Sequence, residues 1–427
     1  MRHVDSQQHQ RPEGTSSSVF RHRAFALFWG ARMFSALAVQ AESATIGWQV
    51  YTVARHTRSI EQSAFLVGMV GLSQFVPLFL LALIGGATAD RGDRRTIMLA
   101  CTGVEIVCTL ALAVLSLRLH PSLAAIFAIA AVFGASRAFL SPASGAMGPM
   151  LVPRDELPQA VSRNSLGDQA GSVIGPWIGG ALCAVSPAVA YFGAAVLYVL
   201  AAGALLLVRA NTRPEYRPGS RLEHIREGLA YVWTNKIVLG AISLDLFAVL
   251  LGGATALLPV FASDVLKVGA HGFGVLRSGP AIGATVMAFA LSRWPLHRRA
   301  GHWMFAGVAA FGVATLVFAV SLSMVVSVIA LAALGAADMI SVYVRQSLVQ
   351  IVTPDAMRGR VAAVSGLFIG ASAELGEFET GVVARLLGPV GAAVFGGVGS
   401  LVVTGAWSWM FPSLRKADRM DEVEVAV

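Results

Sequence analysis

The chain is 427 residues long, 56% hydrophobic and only 13% charged, with a formal net charge of +8. Soluble domains carry about 25% charged residues, so this chain has too little polar surface for water and a soluble globular fold is excluded. The positive balance must then sit in loops, where it reports membrane orientation and argues against nucleic-acid binding.

The first twenty residues are polar and lack an apolar signal core, so the first span, from near Ala24, is expected to act as an uncleaved anchor. A membrane helix needs about 20 mostly apolar residues. Spans are predicted near 24–53, 64–88, 96–117, 122–143, 167–186, 188–208, 237–262, 272–292, 302–320, 323–344, 362–384 and 388–411. The first and seventh are long enough to tilt or bend.

Loop charge predicts the orientation. With the N-terminus inside, 23 of the 32 Lys and Arg residues fall on the cytoplasmic face and 5 (Arg55, Arg58, Arg118, Lys267, Arg385) on the other. The positive-inside rule then places both termini in the cytoplasm, and the expected location is an inner cell membrane.

The longest polar interval, 209–236, contains Leu222, Ile225, Leu229 and Val232 at helical spacing beside Arg221, Glu223, Arg226 and Glu227. It reads either as an amphipathic helix on the cytoplasmic membrane surface or as a linker packed on the protein. It divides the chain into 1–208, with a cytoplasmic tail 1–23, and 237–427, with a tail 412–427.

The halves are similar. Phe133-Gly134-Ala135-Ser136-Arg137 is answered 201 positions later by Leu334-Gly335-Ala336-Ala337-Asp338, and Val152-Pro153 by Thr353-Pro354. Parallel repeats of this kind are a transporter plan, with substrate bound between the halves. The expected fold is an all-α integral membrane protein, with twelve transmembrane helices in two pseudo-symmetric six-helix lobes. Because one chain supplies both lobes, it is expected to function as a monomer.

Two motifs carry a family resemblance. The loop after span two reads Gly85-Gly86-Ala87-Thr88-Ala89-Asp90-Arg91-Gly92-Asp93-Arg94-Arg95. Gly86 would allow close helix approach, Asp90 could accept from an arginine or a helix N-terminus, and Arg91, Arg94 and Arg95 would hold the loop inside. Span five contains Gly171-Ser172-Val173-Ile174-Gly175-Pro176-Trp177-Ile178-Gly179-Gly180. Its glycines make one smooth face, and Pro176 favours a bend. The first string resembles the gating-loop signature of the major facilitator superfamily, with Asp93 where that pattern has glycine. This departure resembles the exporter branch that includes the transmembrane secretion effector group. The second string is similar to the family's antiporter motif. The resemblance implies export of a small molecule in exchange for protons.

Charges inside spans are rare and usually functional. Arg32 and Glu42 lie in span one and are expected on one face; Arg137 lies in span four, Asp245 in span seven and Asp338 in span ten. Span eleven holds Glu374, Glu377 and Glu379. Glu374 and Glu377 are three apart and share a face, so one proton held between them is expected to couple to substrate. Arg137 is expected either to pair with Asp90 or Asp155 or to serve as a relay, and Glu105 to pack against a polar neighbour. Trp48, Gln49, Tyr51, Phe139 and Tyr343 are candidate cavity contacts, or else interfacial anchors.

The expected partners are protons, a small-molecule substrate and the lipid bilayer. No cofactor or metal is expected. Cys101, Cys108 and Cys183 lack paired spacing, and none of the three lysines follows a glycine as a phosphate-binding loop requires. The nine histidines lie in the tail, loops or span edges, without the His-Glu-x-x-His pattern of a metalloenzyme. An enzyme is therefore not expected. Uptake coupled to protons or sodium on the same fold is the alternative to export.

Overall fold

The computed structural model describes residues 19–213, 221–296 and 298–415. Most of the two expected tails, and the side chains of Arg221, Leu222, Glu223 and Ile225, lie outside the described residues.

Long helices form where apolar runs meet capping residues. The first six are α1 (Arg23–Arg55), α2 (Ile60–Arg91), α3 (Arg94–Ser116), α4 (Leu123–Met147), α5 (Leu157–Cys183) and α6 (Pro187–Leu207). Ser59, Ser122 and Ser186 cap α2, α4 and α6 by accepting from backbone N–H groups of the first turn, which satisfies donors with no intrahelical partner. Next come α7 (Arg221–Thr234), α8 (Lys236–Leu251), the single turn α9 (Leu258–Val260), α10 (Gly269–Arg293), α11 (Ala300–Val320), α12 (Met324–Val352), α13 (Asp355–Met410) and α14 (Pro412–Arg415). Among the described residues, ten helical stretches are long and apolar enough to cross a membrane. The protein is an all-α, multi-pass membrane fold.

Two elements depart from the expected spans. The seventh is no single helix: α8 stops at Gly252-Gly253, and the chain continues through Ala254–Leu257 and α9 into a wide turn at Phe261–Val265. A methyl group added at Gly253 would lie 2.2 Å from the Thr380 hydroxyl, so the break lets backbone meet α13. The eleventh and twelfth spans run on as α13, broken at Gly388 with φ 75°. Only glycine adopts that angle without strain, and Pro389 supplies no N–H to bridge the break.

Helix packing forms two sets. In the first, α1 packs on α5 and α6, α2 on α4, and α3 on α4 and α6; in the second, α12 packs on α10 and α11, and α13 on α8 and α11. Lipid tails are as apolar as leucine, so packing in a membrane relies on close backbone approach. The same device serves both sets. A methyl group at Gly85 or Gly134 would strike the Ala138 or Gln74 carbonyl at 2.1 or 2.2 Å across α2 and α4. At Gly283 or Gly335 it would strike Ala332 or Pro280 at 1.7 or 1.8 Å across α10 and α12. Gly134 and Gly335 are the pair related by the 201-residue repeat.

Gly85, next to the expected Gly86, makes such a close approach. Gly86 itself is buried. Helix α7 packs on α8 and α13: Val232 is buried against Val238, Val352 and Val361, and Glu227 pairs with Arg360. Of the two readings of that interval, the packed linker matches these contacts.

Candidate functional site

The two sets of helices meet along α2 with α13 and α5 with α10. A methyl group at Gly68 would lie 2.8 Å from the Gly381 Cα, and one at Gly180 would lie 2.5 Å from the Gly274 Cα. The antiporter-like string therefore serves two neighbours. Gly171, Gly175 and Gly179 lie against Ala36, Gln40 and Ala41 of α1, whereas Gly180 faces the second set. Pro176 lies inside α5, and its carbonyl sits beside Gly274.

A cluster of charges occupies this interface. Arg137 of α4 donates to Glu374 Oε1 of α13 at 2.9 Å and to Gln74 Oε1 of α2 at 3.4 Å. Glu377, one turn further along α13, approaches Gly71 of α2 and lies within the fields of Glu374, Arg277 and Arg137. Arg277 of α10 donates to the Ser43 hydroxyl of α1 at 3.3 Å. Two arginines and two glutamates thus balance in charge across the interface. Of the two expectations for Arg137, pairing with Asp90 or Asp155 or service as a relay, the first does not describe its bond, which reaches across to α13. Sequence reasoning passed over Arg277, although a charge inside an apolar span was the available signal. Glu379 points away from the cluster and accepts from Thr380.

A second polar group lies within the second set. Asp245 of α8 and Arg345 of α12 form a buried ion pair at 3.3 Å. A cavity of about 10 Å³ beside them is lined by Asp245, Asp338, Ser341 and Phe311, which is room for about one water. Two carboxylates facing one guanidinium leave one negative charge for a proton to neutralise.

Arg32 and Glu42 do not share a surface. Ten residues fall about 80° short of three helical turns. Arg32 pairs with Asp168 of α5, while Glu42 is fully buried and accepts from Tyr198 at 3.0 Å. Glu105 lies within the fields of Glu42 and Arg137, and among the described residues neither carboxyl oxygen has a hydrogen-bond partner. Of the candidate cavity contacts, Gln49 is buried and satisfied within the first set by Ser116 and Tyr191. Trp48 stacks on Phe273 with centroids 5.5 Å apart, and Tyr51 donates to Asp264, which also pairs with Arg55 at 3.3 Å. These last contacts bridge the two sets near the end of α1. Phe139 is half-buried, and Tyr343 packs against the apolar cluster that includes Ala241 and Met304. Away from that end, Gly145, Gly366 and Gly370 face open space.

The loop between α2 and α3 ties the first set together. Arg94 donates to the Ala146 carbonyl, and Arg95 to the Leu205 and Leu206 carbonyls. Asp90 and Arg91 are exposed. Asp93, the departure from the family pattern, caps α3 and accepts from Thr212 after α6. Burial alone would raise its carboxyl, but bonds from Thr212, Arg95 and Thr96 hold it below the ordinary range. A lowered value means that its stabilisation is complete above the unfolded value of about 3.9 and lost as pH falls through the folded one. Asp93→Ala is expected to cost about 0.5–2 kcal/mol at neutral pH. Thermal unfolding in detergent should show that gap closing only in acid; a gap constant down to strong acid would refute the assignment.

The family model described as "Transmembrane secretion effector" matches residues 14–426. The enterobactin exporter of Shigella boydii is 26% identical over 386 residues, covering 90% of each chain. Among solved structures, a peptide transporter in complex with alafosfalin superposes with a TM-score of 0.71 at 15% identity, covering 92% of this chain and 95% of that one. A D-xylose–proton symporter gives 0.69 at 13% identity, covering 94% and 99%.

Proposed function

The chain belongs to the transmembrane secretion effector family of major facilitator transporters, a family without catalytic activity, and from that premise we propose that it moves a small molecule against a flow of protons. Secondary-active transport of a small molecule is common ground for the family and its fold neighbours. In our reading twelve crossings form two six-helix lobes, 1–208 and 237–427. They comprise the ten apolar stretches, α5, and the second arm of α13 beyond Gly388. Loop charge supports cytoplasmic termini.

One observation carries the coupling: the Arg137–Glu374 bond spans the two lobes, beside Glu377 and Arg277. A proton on Glu374 removes its negative charge and releases the Arg137 guanidinium for acceptor oxygens on a substrate, and one on Glu377 removes the negative charge beside it. Rocking of the lobes then exposes the site to the other face. The Asp245–Arg345–Asp338 group would relay charge within the second lobe. The loop from Gly86 to Arg95 would hold α2 and α3 as one rigid body during rocking. The contacts of Tyr51, Arg55 and Trp48 close the outer end in this arrangement.

Export is supported by the secretion-effector family and the relative named an enterobactin exporter. Uptake by symport is the second reading, favoured by the neighbour named a proton symporter. Vesicles reconstituted in one orientation, loaded with a pH-sensitive dye and screened against candidate compounds, separate the two. Export predicts that substrate on the cytoplasmic face draws protons in the opposite direction; co-directional movement would establish uptake. Substrate flux indifferent to an imposed pH gradient would sink proton coupling altogether.

A further inference from the structure

Inside the first set of helices, away from the interface, lies a pocket with two carboxyl groups and almost nothing to bond them. Glu42 of α1 and Glu105 of α3 are both 0% exposed. Glu42 Oε2 accepts from the Tyr198 hydroxyl of α6 at 3.0 Å and the Thr109 hydroxyl faces Glu42, but among the described residues Glu42 Oε1 and both Glu105 oxygens have no hydrogen-bond partner. The Thr102 hydroxyl, also fully buried and unpartnered, stands one turn before Glu105 on the same face of α3.

The charged and titratable groups around the pocket do not supply a counter-ion. From α3 come Cys101 and Cys108, and from α6 Tyr191 and Tyr198, all neutral or acidic side chains within the field of one or both carboxyls. From α4 comes Arg137, whose field reaches Glu105 but whose guanidinium is hydrogen-bonded to Glu374 across the interface. A buried carboxylate without a cation or a hydrogen bond costs several kcal/mol. A proton removes that penalty, whereas two charges side by side would double it.

We propose that Glu42 and Glu105 form a proton-binding carboxyl pair, with the proton on Glu105 and the Tyr198 hydroxyl supporting Glu42 as the better anion. The step is simple binding: the Glu105 carboxylate takes one proton from a solvent hydronium ion, which becomes water, and a carboxylic acid results. The acid O–H then lies within the field of the Glu42 carboxylate. The pair lies entirely within α1, α3, α4 and α6, so it does not depend on whether the carrier couples transport to protons.

The test uses infrared spectroscopy of the full chain in lipid nanodiscs, followed from neutral to alkaline pH, with thermal unfolding on the same samples. Wild type should show a protonated-carboxyl stretch that disappears at alkaline pH, together with a fall in the unfolding midpoint, because raising pH ionises a group that is neutral in the fold. Glu105→Gln should lose one component of that stretch and part of the alkaline fall, while the components from Asp338 and Glu377 stay. Glu42→Gln, with folding checked by its unfolding midpoint, should shift the Glu105 component by removing the neighbouring anion. Glu374→Gln should leave the stretch in place. A Glu105→Gln spectrum and alkaline fall identical to wild type, or a Glu105 component unmoved in Glu42→Gln, would overturn the proposal. Because no transport is measured, these results stand apart from the vesicle experiment.

Discussion

Glu374→Gln is expected to slow proton-driven flux by roughly tenfold or more while leaving the protein folded. The carboxylate accepts from Arg137 at 2.9 Å and joins helices 237 positions apart in sequence. Hydrogen bonds to charged groups contribute about 1.5–3 kcal/mol, and about 1.4 kcal/mol is a factor of ten. The lower end applies, since the Arg137 side chain is 36% exposed and partly screened. Glutamine keeps the shape of the side chain but neither the charge nor the ability to take up a proton. Initial rates in vesicles under an imposed pH gradient measure the effect, and Glu374→Asp should recover part of it. Wild-type rates in Glu374→Gln would remove this residue from the coupling.

A larger effect is expected at the seam between α5 and α10. Gly180→Leu should reduce flux to background by holding α5 and α10 apart. Its Cβ would lie 2.5 Å from the Gly274 Cα and 2.8 Å from the Ala270 carbonyl, and backbone on both sides leaves nothing flexible to yield. The same close contact at Gly179 presses on α1 within the first set, so a bulky residue there should harm folding as well. Gly180 separates the two effects. Native Cys183 reports the opening, because it is buried beside Ala270 and Ala190 at this seam. Labelling by a membrane-impermeant maleimide should rise at Cys183 in Gly180→Leu, while buried Cys101 and Cys108 of α3 stay protected. Unchanged labelling together with normal flux would mean that the seam does not open in transport.

How far the sequence reached differs between backbone and side chains. The expected span 188–208 became α6, Pro187–Leu207, and 302–320 became α11, Ala300–Val320, because length and apolarity act locally and each helix satisfies its own backbone bonds. The glycine string of span five was legible as a close-packing face for the same reason. Its division of labour was not: Gly179 and Gly180 are neighbours in sequence, yet the helical turn points one at α1 and the other at α10. The break at Gly252-Gly253 was also hidden, since apolar composition continues across it while the requirement that stops the helix comes from Thr380 and Gly376 on α13.

The charged residues show the limit most clearly. That Arg137, Asp245, Asp338, Glu374 and Glu377 stand in apolar spans was determined by the sequence alone, as was the rarity that makes them functional candidates. Which of them meet was decided only by the tertiary structure. Arg137 has Asp155 eighteen positions away in sequence, yet it bonds Glu374; Asp245 meets Arg345 rather than a neighbour on its own helix; and Glu105 has no such partner. The physical reason is rotation. Hydropathy specifies that a helix crosses the bilayer, but the direction of each side chain about its axis follows from where glycine contacts let neighbouring backbones touch, and those contacts join residues far apart in the chain.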